Sequence, residues 1–423
     1  MADVQPLRAL RYDPEVAGPI GDVVAPPYDV IDAEQRAELA ARSPHNVVEI
    51  DLPQADGGGD PYEHAAHLFA EWRQQGAIVQ DDEPALWILR QDYTGPDGRR
   101  LTRHGFFCRI RVEEYGAGRI RPHERTHPGP REDRLRLTRA TRANLSPIFV
   151  LYSDQTGAAR QAVDAATAGE TAAEVTDAEG TKHTLWRLAD TGAIATIQDA
   201  LKDAELLIAD GHHRYETARV YAEEIGGEGP HRYVLACLVA LEDPGLTVFP
   251  THRLVKETTP TQQEELANVL RRDFAIERIE PAAIAPENGD GPAAYGYIDA
   301  HFRQPFHLAL KDQAIADEAL DGFPEPYRRL DAAVLEALLL KGPLELTDDD
   351  ISHLHRFGYA RDAKQAVDLV ESGEFDLAFL LRATPVEQVR EVAQSGATMP
   401  PKSTYFYPKL LTGLLFNPLG GEE

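Results

Sequence analysis

The stretch Leu206-Leu207-Ile208-Ala209-Asp210-Gly211-His212-His213-Arg214-Tyr215-Glu216-Thr217-Ala218-Arg219 reads as an apolar strand turning sharply into a helix. The apolar run stops at Asp210-Gly211, and the spacing predicts a helix from near His213 to about Glu224. Gly211 lets the turn bend and lets an anion reach the backbone with no Cβ in the way. The first N–H groups of a helix lack internal partners and carry the positive end of its dipole, and Arg214 adds a forked cation at that same end. A phosphate or another anion is the natural occupant of such a turn. The plainer alternative is a helix capped by Asp210 with exposed or hydrogen-bonded histidines. His212 and His213 are adjacent and point in different directions, so they are poor joint ligands for one metal. One of them is better suited to donating to a phosphoryl oxygen or transferring a proton, with an ordinary imidazole pKa of about 6.5. Neither a Walker A loop nor a G-x-G-x-x-G turn after a strand occurs.

A second constellation lies upstream, at Ile120-Arg121-Pro122-His123-Glu124-Arg125-Thr126-His127 and Arg131-Glu132-Asp133-Arg134. Between Arg119 and Arg142 the chain holds eight Arg and three acids, and no Lys occurs before Lys182. Arg presents a planar donor fork suited to phosphate and carboxylate. Pro122, Pro128, Gly129 and Pro130 predict a fixed loop here, followed by a helix over Leu135–Arg142. On this reading Glu124 is a candidate base or Mg²⁺ ligand, and Arg125 and Arg134 are candidate anion clamps. A solvated, salt-bridged surface is the alternative for so dense a mixture of charge. Thr251-His252-Arg253 follow a strand-like Leu246–Phe249. The tail from Met399 to Lys409 concentrates Lys402, Ser403, Thr404 and Lys409 among Tyr405, Phe406 and Tyr407. Aromatic residues at that density predict a docked tail rather than a disordered one.

Outward from these motifs, helices are predicted at Ala33–Arg42 with Asp32 as cap, at Pro61–Gly76, at Asp362–Ser372, and after a capping box at Thr384-Pro385-Val386-Glu387. Strands are predicted at 85–90, 105–112, 146–151, 206–209, 232–241, 295–298, 306–310 and 375–381. Helices and strands interleave throughout, so the fold class expected is mixed α/β (α+β). The 423 residues are enough for roughly two to four domains of about 100–200 residues each. The divisions expected are 1–155, 156–260 and 261–423, or one interlocked body.

Composition narrows the function. With 43 Lys and Arg against 70 Asp and Glu, the formal charge of −27 argues against a general nucleic-acid binder. Two cysteines, Cys108 and Cys237, make neither a disulfide framework nor a Cys-based zinc site. No run of about 18 apolar residues exists, and the first residues carry no apolar signal-peptide core, so a cytoplasmic protein without a membrane partner is expected.

Taken together, PYDVI (27–31), HERT (123–126), DRL (133–135), ANLSPIFVLY (143–152), ADGHHRYETA (209–218), FPTHR (249–253), YRRLD (327–331) and MPPKSTYFYPKLLTGL (399–414) resemble the DUF1015 family of uncharacterised proteins. ADGHHR at a strand-to-helix turn is also similar to the phosphate motif of the ParB/sulfiredoxin fold. That group includes CTP-binding partition proteins, sulfiredoxins and free-serine kinases with a D-G-H-x-R motif. The resemblance implies a phosphate-binding core in which Gly211, His212, His213 and Arg214 hold nucleotide phosphates. The function expected is a nucleotide-dependent phosphotransferase acting on a small hydroxy metabolite such as free serine. Asp210, His212, His213 and Glu124 would be its catalytic groups, and Mg²⁺ on Glu124 and Asp210 and ATP, ADP or CTP its cofactors. Arg125, Arg134, Arg253, Lys402, Ser403, Thr404 and Lys409 would complete the anion pocket. A phosphatase of a small phosphorylated metabolite such as phosphoserine, and a non-enzymatic CTP- or ATP-binding regulatory protein, are the alternatives.

Overall fold

The computed structural model describes residues 2–55, 59–95, 98–116, 118–124, 128–289 and 291–420. The chain divides into two compact units, one of Met1–Thr247 with Pro408–Glu423 and one of Val248–Tyr407. The mixed α/β class is what the interleaved periodicities predict.

The first unit is built on a nine-stranded sheet. Its strands are β1 (Val4–Gln5), β2 (Leu86–Thr94), β3 (Arg100–Arg111), β4 (Ile120–Arg121), β5 (Ile148–Tyr152), β6 (Ala173–Thr176), β7 (Lys182–Leu188), β8 (Leu206–Asp210) and β9 (Tyr233–Ala240). They run in the order β4-β8-β5-β9-β3-β2-β7-β6, with β1 added on β3. Strands on both sides of residue 155 belong to this one sheet, so the expected division there does not separate two bodies. Strand β5 is buried along its whole length, and β9 is buried after its first residue. That is why both read as continuous apolar runs rather than as alternating ones.

Six helices of this unit are α1 (Ala33–Arg42), α2 (Pro61–Gln74), α3 (Pro128–Thr141), α4 (Ala158–Ala166), α5 (Thr191–Leu201) and α6 (His212–Ile225). Asp32 caps α1 by accepting from the Gln35 amide, and Asp60 caps α2 with Pro61 in the first position. One face of the sheet packs Ile148, Val150, Ile208, Ala236 and Leu238 against Val163 of α4, Ile197 and Leu201 of α5 and Tyr215 of α6. Residues of the opposite parity face the other way, Arg103 and Phe149 among them, and the C-terminal segment returns over that side. There Arg103 donates to the carbonyl of Pro408, and Gln91 donates to that of Lys409. Further on, Thr412 pairs with Ala25 and Phe416 with Leu10, so the tail from Pro408 onward is docked.

The second unit has a six-stranded antiparallel sheet of β10 (His252–Val255), β11 (Phe274–Arg278), β12 (Ala294–Asp299), β13 (Phe306–Leu310), β14 (Phe357–Ala360) and β15 (Leu377–Leu381), in the order β11-β13-β12-β15-β10-β14. Helix α7 (Pro260–Asp273) opens with a capping box of Thr259 and Gln262. Helix α8 (Ala363–Glu371) sets Ala366 and Val370 against Leu254, Ile298, Ala378 and Leu380. Helix α9 (Val386–Gln394) lacks the predicted capping box: Pro385 is its cap residue, and the Thr384 hydroxyl donates instead to the Ser403 carbonyl. Among the described residues no helix is long and apolar enough to cross a membrane.

Candidate functional site

Strand-to-strand register brings the two sequence motifs of the first unit together. Short strand β4 runs parallel to β8, with Ile120 opposite Leu206 and Arg121 opposite Leu207. Parallel pairing keeps both chains heading the same way, so His123 and Glu124 emerge at the end of β8 where the turn into α6 begins. His123 Nδ1 lies 2.7 Å from the Ile208 carbonyl, and its backbone N–H donates to His212 Nε2 at 3.3 Å. The two rings meet edge to face at 4.6 Å.

These contacts fix both tautomers. A carbonyl only accepts, so His123 carries its proton on Nδ1. His212 Nε2 accepts, so its proton sits on Nδ1, which lies 3.9 Å from Glu124 Oε2. Burial holds both imidazoles below their ordinary pKa, His212 well below it with the neighbouring His123 as the next cause. His212 is therefore a neutral ring whose N–H faces a carboxylate.

At the turn itself Gly211 has φ +91°, a left-handed conformation that a Cβ would strain, and a Cβ there would sit 3.0 Å from Ile148 Cγ2 and 3.1 Å from the Arg214 guanidinium. The Gly211 amide donates to Asp210 Oδ1 at 2.8 Å. Lys409 Nζ lies 3.0 Å from Asp210 Oδ2, and Arg214 Nη2 lies 3.7 Å from Oδ1. Burial alone would raise the Asp210 carboxyl, but the ammonium of Lys409 and the guanidinium of Arg214 outweigh it and hold the group well below the ordinary carboxylate range. Arg214 also donates to the carbonyl of Pro147, the residue before β5, which ties the opening of α6 to the adjacent strand. His213 is half-buried on the first turn of the helix.

Asp210, Gly211, His212, Arg214, Glu124 and Lys409 thus meet around one turn. Arg125 lies outside the described residues, as do Thr126 and His127. Arg134 stands beside this group, lining one small pocket with Arg214, Asp51 and Ser146, but it is engaged by acids of its own. It sits on α3, which begins at Pro128 where a loop is predicted, because proline suits a first helical turn. Its guanidinium lies 3.1 Å from Asp51 and 2.7 Å from Asp133 and covers the Tyr28 ring at 4.2 Å, a buried clamp rather than an open anion ligand.

The remaining expected anion ligands lie in the second unit. Arg253 is buried there, donating to the carbonyls of Thr251, Pro401 and Lys402 and covering the Tyr359 ring. Burial lowers its pKa, yet no carboxylate shares in an ion pair with it among the described residues. Its work is to hold the 401–402 backbone. The Ser403 hydroxyl is buried and donates to the Pro400 carbonyl. Lys402 is exposed with φ +55°, and Thr404 is half-buried. The roles expected of Arg253 and Ser403 as phosphate ligands are therefore replaced by backbone contacts.

The expected Mg²⁺ site on Glu124 and Asp210 is not formed by the protein alone. Among the described residues no three His, Cys, Asp or Glu side chains cluster as a metal site. The oxygens of Asp210 already face two cations and an amide, so these side chains are not a ready-made cage for a divalent ion.

Sequence reading overlooked the partners that fix the turn. Asp51 lies beneath it, its two oxygens each 3.2 Å from Ser146 Oγ, with burial pushing its pKa up against the opposing charges of Arg134 and Arg214. Nothing in the surrounding Val48-Glu49-Ile50-Asp51 marks that acid as buried. Tyr28 in the PYDVI stretch carried a signal, since an aromatic beside two prolines is a pre-set platform for an arginine.

The DUF1015 pattern, described as a protein of unknown function, matches residues 4–333. The chain belongs to the DUF1015 family. Among curated proteins no sequence matches this DUF1015 chain. Solved structures similar to it include a conserved hypothetical protein from Pyrococcus furiosus, at 16% identity and TM-score 0.33 over 68% of this chain and 87% of that one. A mutant free serine kinase in complex with ADP is similar at 14% identity and TM-score 0.36, over 68% and 84%. A C-terminally truncated SbnI from Staphylococcus aureus is similar at 11% identity and TM-score 0.34, over 70% and 82%.

Proposed function

We propose that this DUF1015 protein is a nucleotide-dependent phosphotransferase whose phosphate seat is the Asp210–Arg214 turn, acting on a small hydroxy metabolite with free serine as the favoured acceptor. The observation that carries the reading is the single carboxylate of Asp210 holding Lys409 and Arg214 beside the N-terminus of α6. An anion entering that turn meets cations already in place, so no ordering is needed at the moment of binding. Phosphoryl transfer demands mainly such positioning and charge neutralisation.

In this reading Gly211 leaves room for a phosphoryl oxygen, and the opening amides of α6 donate to it. Arg214 and Lys409 take up charge on the transferring group, while Asp210 aims them. Neutral His212 presents its Nδ1–H toward Glu124, which orders that carboxylate for the acceptor hydroxyl. Serine as acceptor rests on the D-G-H-x-R resemblance. Mg²⁺, when bound, would share its coordination with nucleotide phosphates.

The test is titration of the purified protein with ATP, ADP and CTP in the presence of Mg²⁺, followed by phosphorus NMR of ATP and serine mixtures. Saturable nucleotide binding and phosphoserine formation are expected. Absence of binding by every nucleotide and by phosphoserine would overturn the reading. Phosphate release from phosphoserine without nucleotide would replace it with the phosphatase reading, and CTP binding without turnover with the regulatory one.

A further inference from the structure

The second unit contains a cavity of about 590 Å³ that the phosphate-seat reading does not use. Its roof is one stripe of α7, with Gln263, Leu266, Ala267, Leu270 and Arg271 at the three- and four-residue spacing of a single helical face. Its floor is one face of the sheet: Ile276 stands opposite Leu308, and Phe306 opposite Tyr297. Leu266 and Leu270 are buried, yet Ile276 is 44% exposed and Phe302, at the rim, 69% exposed. The helix therefore covers the floor only in part, leaving a half-open apolar chamber of ordinary ligand-binding size.

Two carboxylates line this chamber. Asp299 Oδ1 accepts the Phe302 amide at 2.7 Å, and the Tyr297 phenol neighbours the same carboxylate. Asp376 Oδ2 accepts the amide and the hydroxyl of Thr258, at 2.7 and 2.8 Å. All of these donors are neutral, so they orient both acids without balancing their charge. Neither carboxylate has a Lys or Arg ion-pair partner among the described residues. Arg271, the one Lys or Arg of the lining among the described residues, donates to Asn268 at the exposed end of the stripe, and His301 packs edge-on against Phe302. Aromatic faces at Tyr297, Phe302 and Phe306 beside uncompensated carboxylates form an environment that favours a cation with an apolar body.

We infer that this chamber is a binding site for a small amphipathic cation, an apolar or aromatic amine or quaternary ammonium compound. Its apolar part lies between α7 and the sheet, and its charged head lies at Asp299 and Asp376. This site stands independently of the phosphate seat.

The probes are decyltrimethylammonium and decyl sulfate, titrated calorimetrically into the full-length protein below their micelle-forming concentrations. The cation should bind saturably at one site, roughly tenfold or more tighter than the anion. Asp299→Asn should weaken the cation several-fold, as should Asp376→Asn, and Ala267→Trp should fill the chamber and abolish binding. Circular dichroism of each variant establishes that it is folded, and the preference between probes on the unaltered protein stands without any variant. Equal or tighter binding of decyl sulfate, lack of saturation, or cation binding untouched by Ala267→Trp in a folded protein would overturn the proposal.

Discussion

Replacing Lys409 with Met removes the ammonium 3.0 Å from Asp210 Oδ2 while keeping most of the side-chain volume. The two side chains are only 18% and 21% exposed, so solvent screens the pair weakly and the carboxylate left behind stays largely desolvated. Full exposure would make the loss under about 1 kcal/mol, whereas breaking a fully buried pair costs about 3–5 kcal/mol. Arg214 remains 3.7 Å away and compensates in part, which places the cost at about 2–3 kcal/mol. At about 2–4 °C per kcal/mol for a unit of this size, Tm should fall by roughly 5–10 °C. The pH dependence adds a second reading. Asp210 has its pKa depressed in the folded state, so the pair stabilises above the ordinary carboxylate pKa of about 3.9, and that contribution is lost as pH falls through the folded value. Without Lys409 the pKa rises toward the ordinary value, so the gap between variant and unaltered protein should hold from pH 7 to about 4 and narrow only below that, as pH falls through the variant's folded value. Asp210→Asn added to Lys409→Met removes the orphaned charge and should recover a large part of the loss. Scanning calorimetry at several pH values reads all three proteins. A single variant within about 1 °C of the unaltered protein at pH 7 would refute the assignment of Lys409 as the counter-ion that presets the seat.

Arg214→Ala should weaken ADP binding by about 1.5–3 kcal/mol, read by calorimetry, if its guanidinium makes a charge-assisted bond to phosphate. Gly211→Ala should destabilise the first unit by about 1–3 kcal/mol in urea unfolding and also reduce ADP affinity, because its Cβ would press on Ile148 and on the Arg214 guanidinium. Arg134→Met should lower stability by about 3 kcal/mol in urea unfolding by leaving Asp51 buried with only the Ser146 hydroxyl and the more distant charge of Arg214 to oppose it. His252 has a pKa lowered to about 4 by burial, and its Nδ1 accepts the Leu381 amide. The unfolded chain therefore binds a proton first as pH falls below about 6.5, and stability drops by up to about 1.4 kcal/mol per pH unit toward pH 4. His252→Asn should flatten that slope in urea titrations at pH 7 and pH 5 by about one proton.

Local elements were legible in the sequence wherever one signal decided them. Helix Ala33–Arg42 and its Asp32 cap follow from composition and one side chain, and strand Phe306–Leu310 from a short apolar run. The turn at Gly211 was legible for the same reason, since only glycine sits easily at that φ. Failure came where a competing partner lay far along the chain. Thr384-Pro385-Val386-Glu387 has the form of a capping box, but the Ser403 carbonyl captures the threonine hydroxyl. The parallel pairing of Ile120–Arg121 with β8 brings His123 to His212, and two residues make too short a strand for any periodicity to declare it.

The arginine cluster shows why charge counting overreached. A local excess of Arg in an acidic chain looks like a phosphate site until the guanidinium groups that pair among the described residues are followed to their partners: Arg121 meets Glu205, Arg134 meets Asp51 and Asp133, Arg136 meets Asp60 and Arg139 meets Glu224. Apart from Asp133 on the helix itself, those partners join α3 and its flanks to the rest of the first unit and are scattered through the chain, so the sequence displays the cations together and hides most of their partners. Arg214 and Lys409 differ because they share one acid at the positive pole of a helix. They also come from separate segments of that unit's chain, Lys409 by way of the carbonyl contacts that Arg103 and Gln91 make with the returning tail. Density of charge along the sequence is thus a poor guide to which cations stand together in the fold. Under the phosphate-seat proposal, cations that share a carboxylate at a helix N-terminus are the better mark, and only the folded register can bring them together.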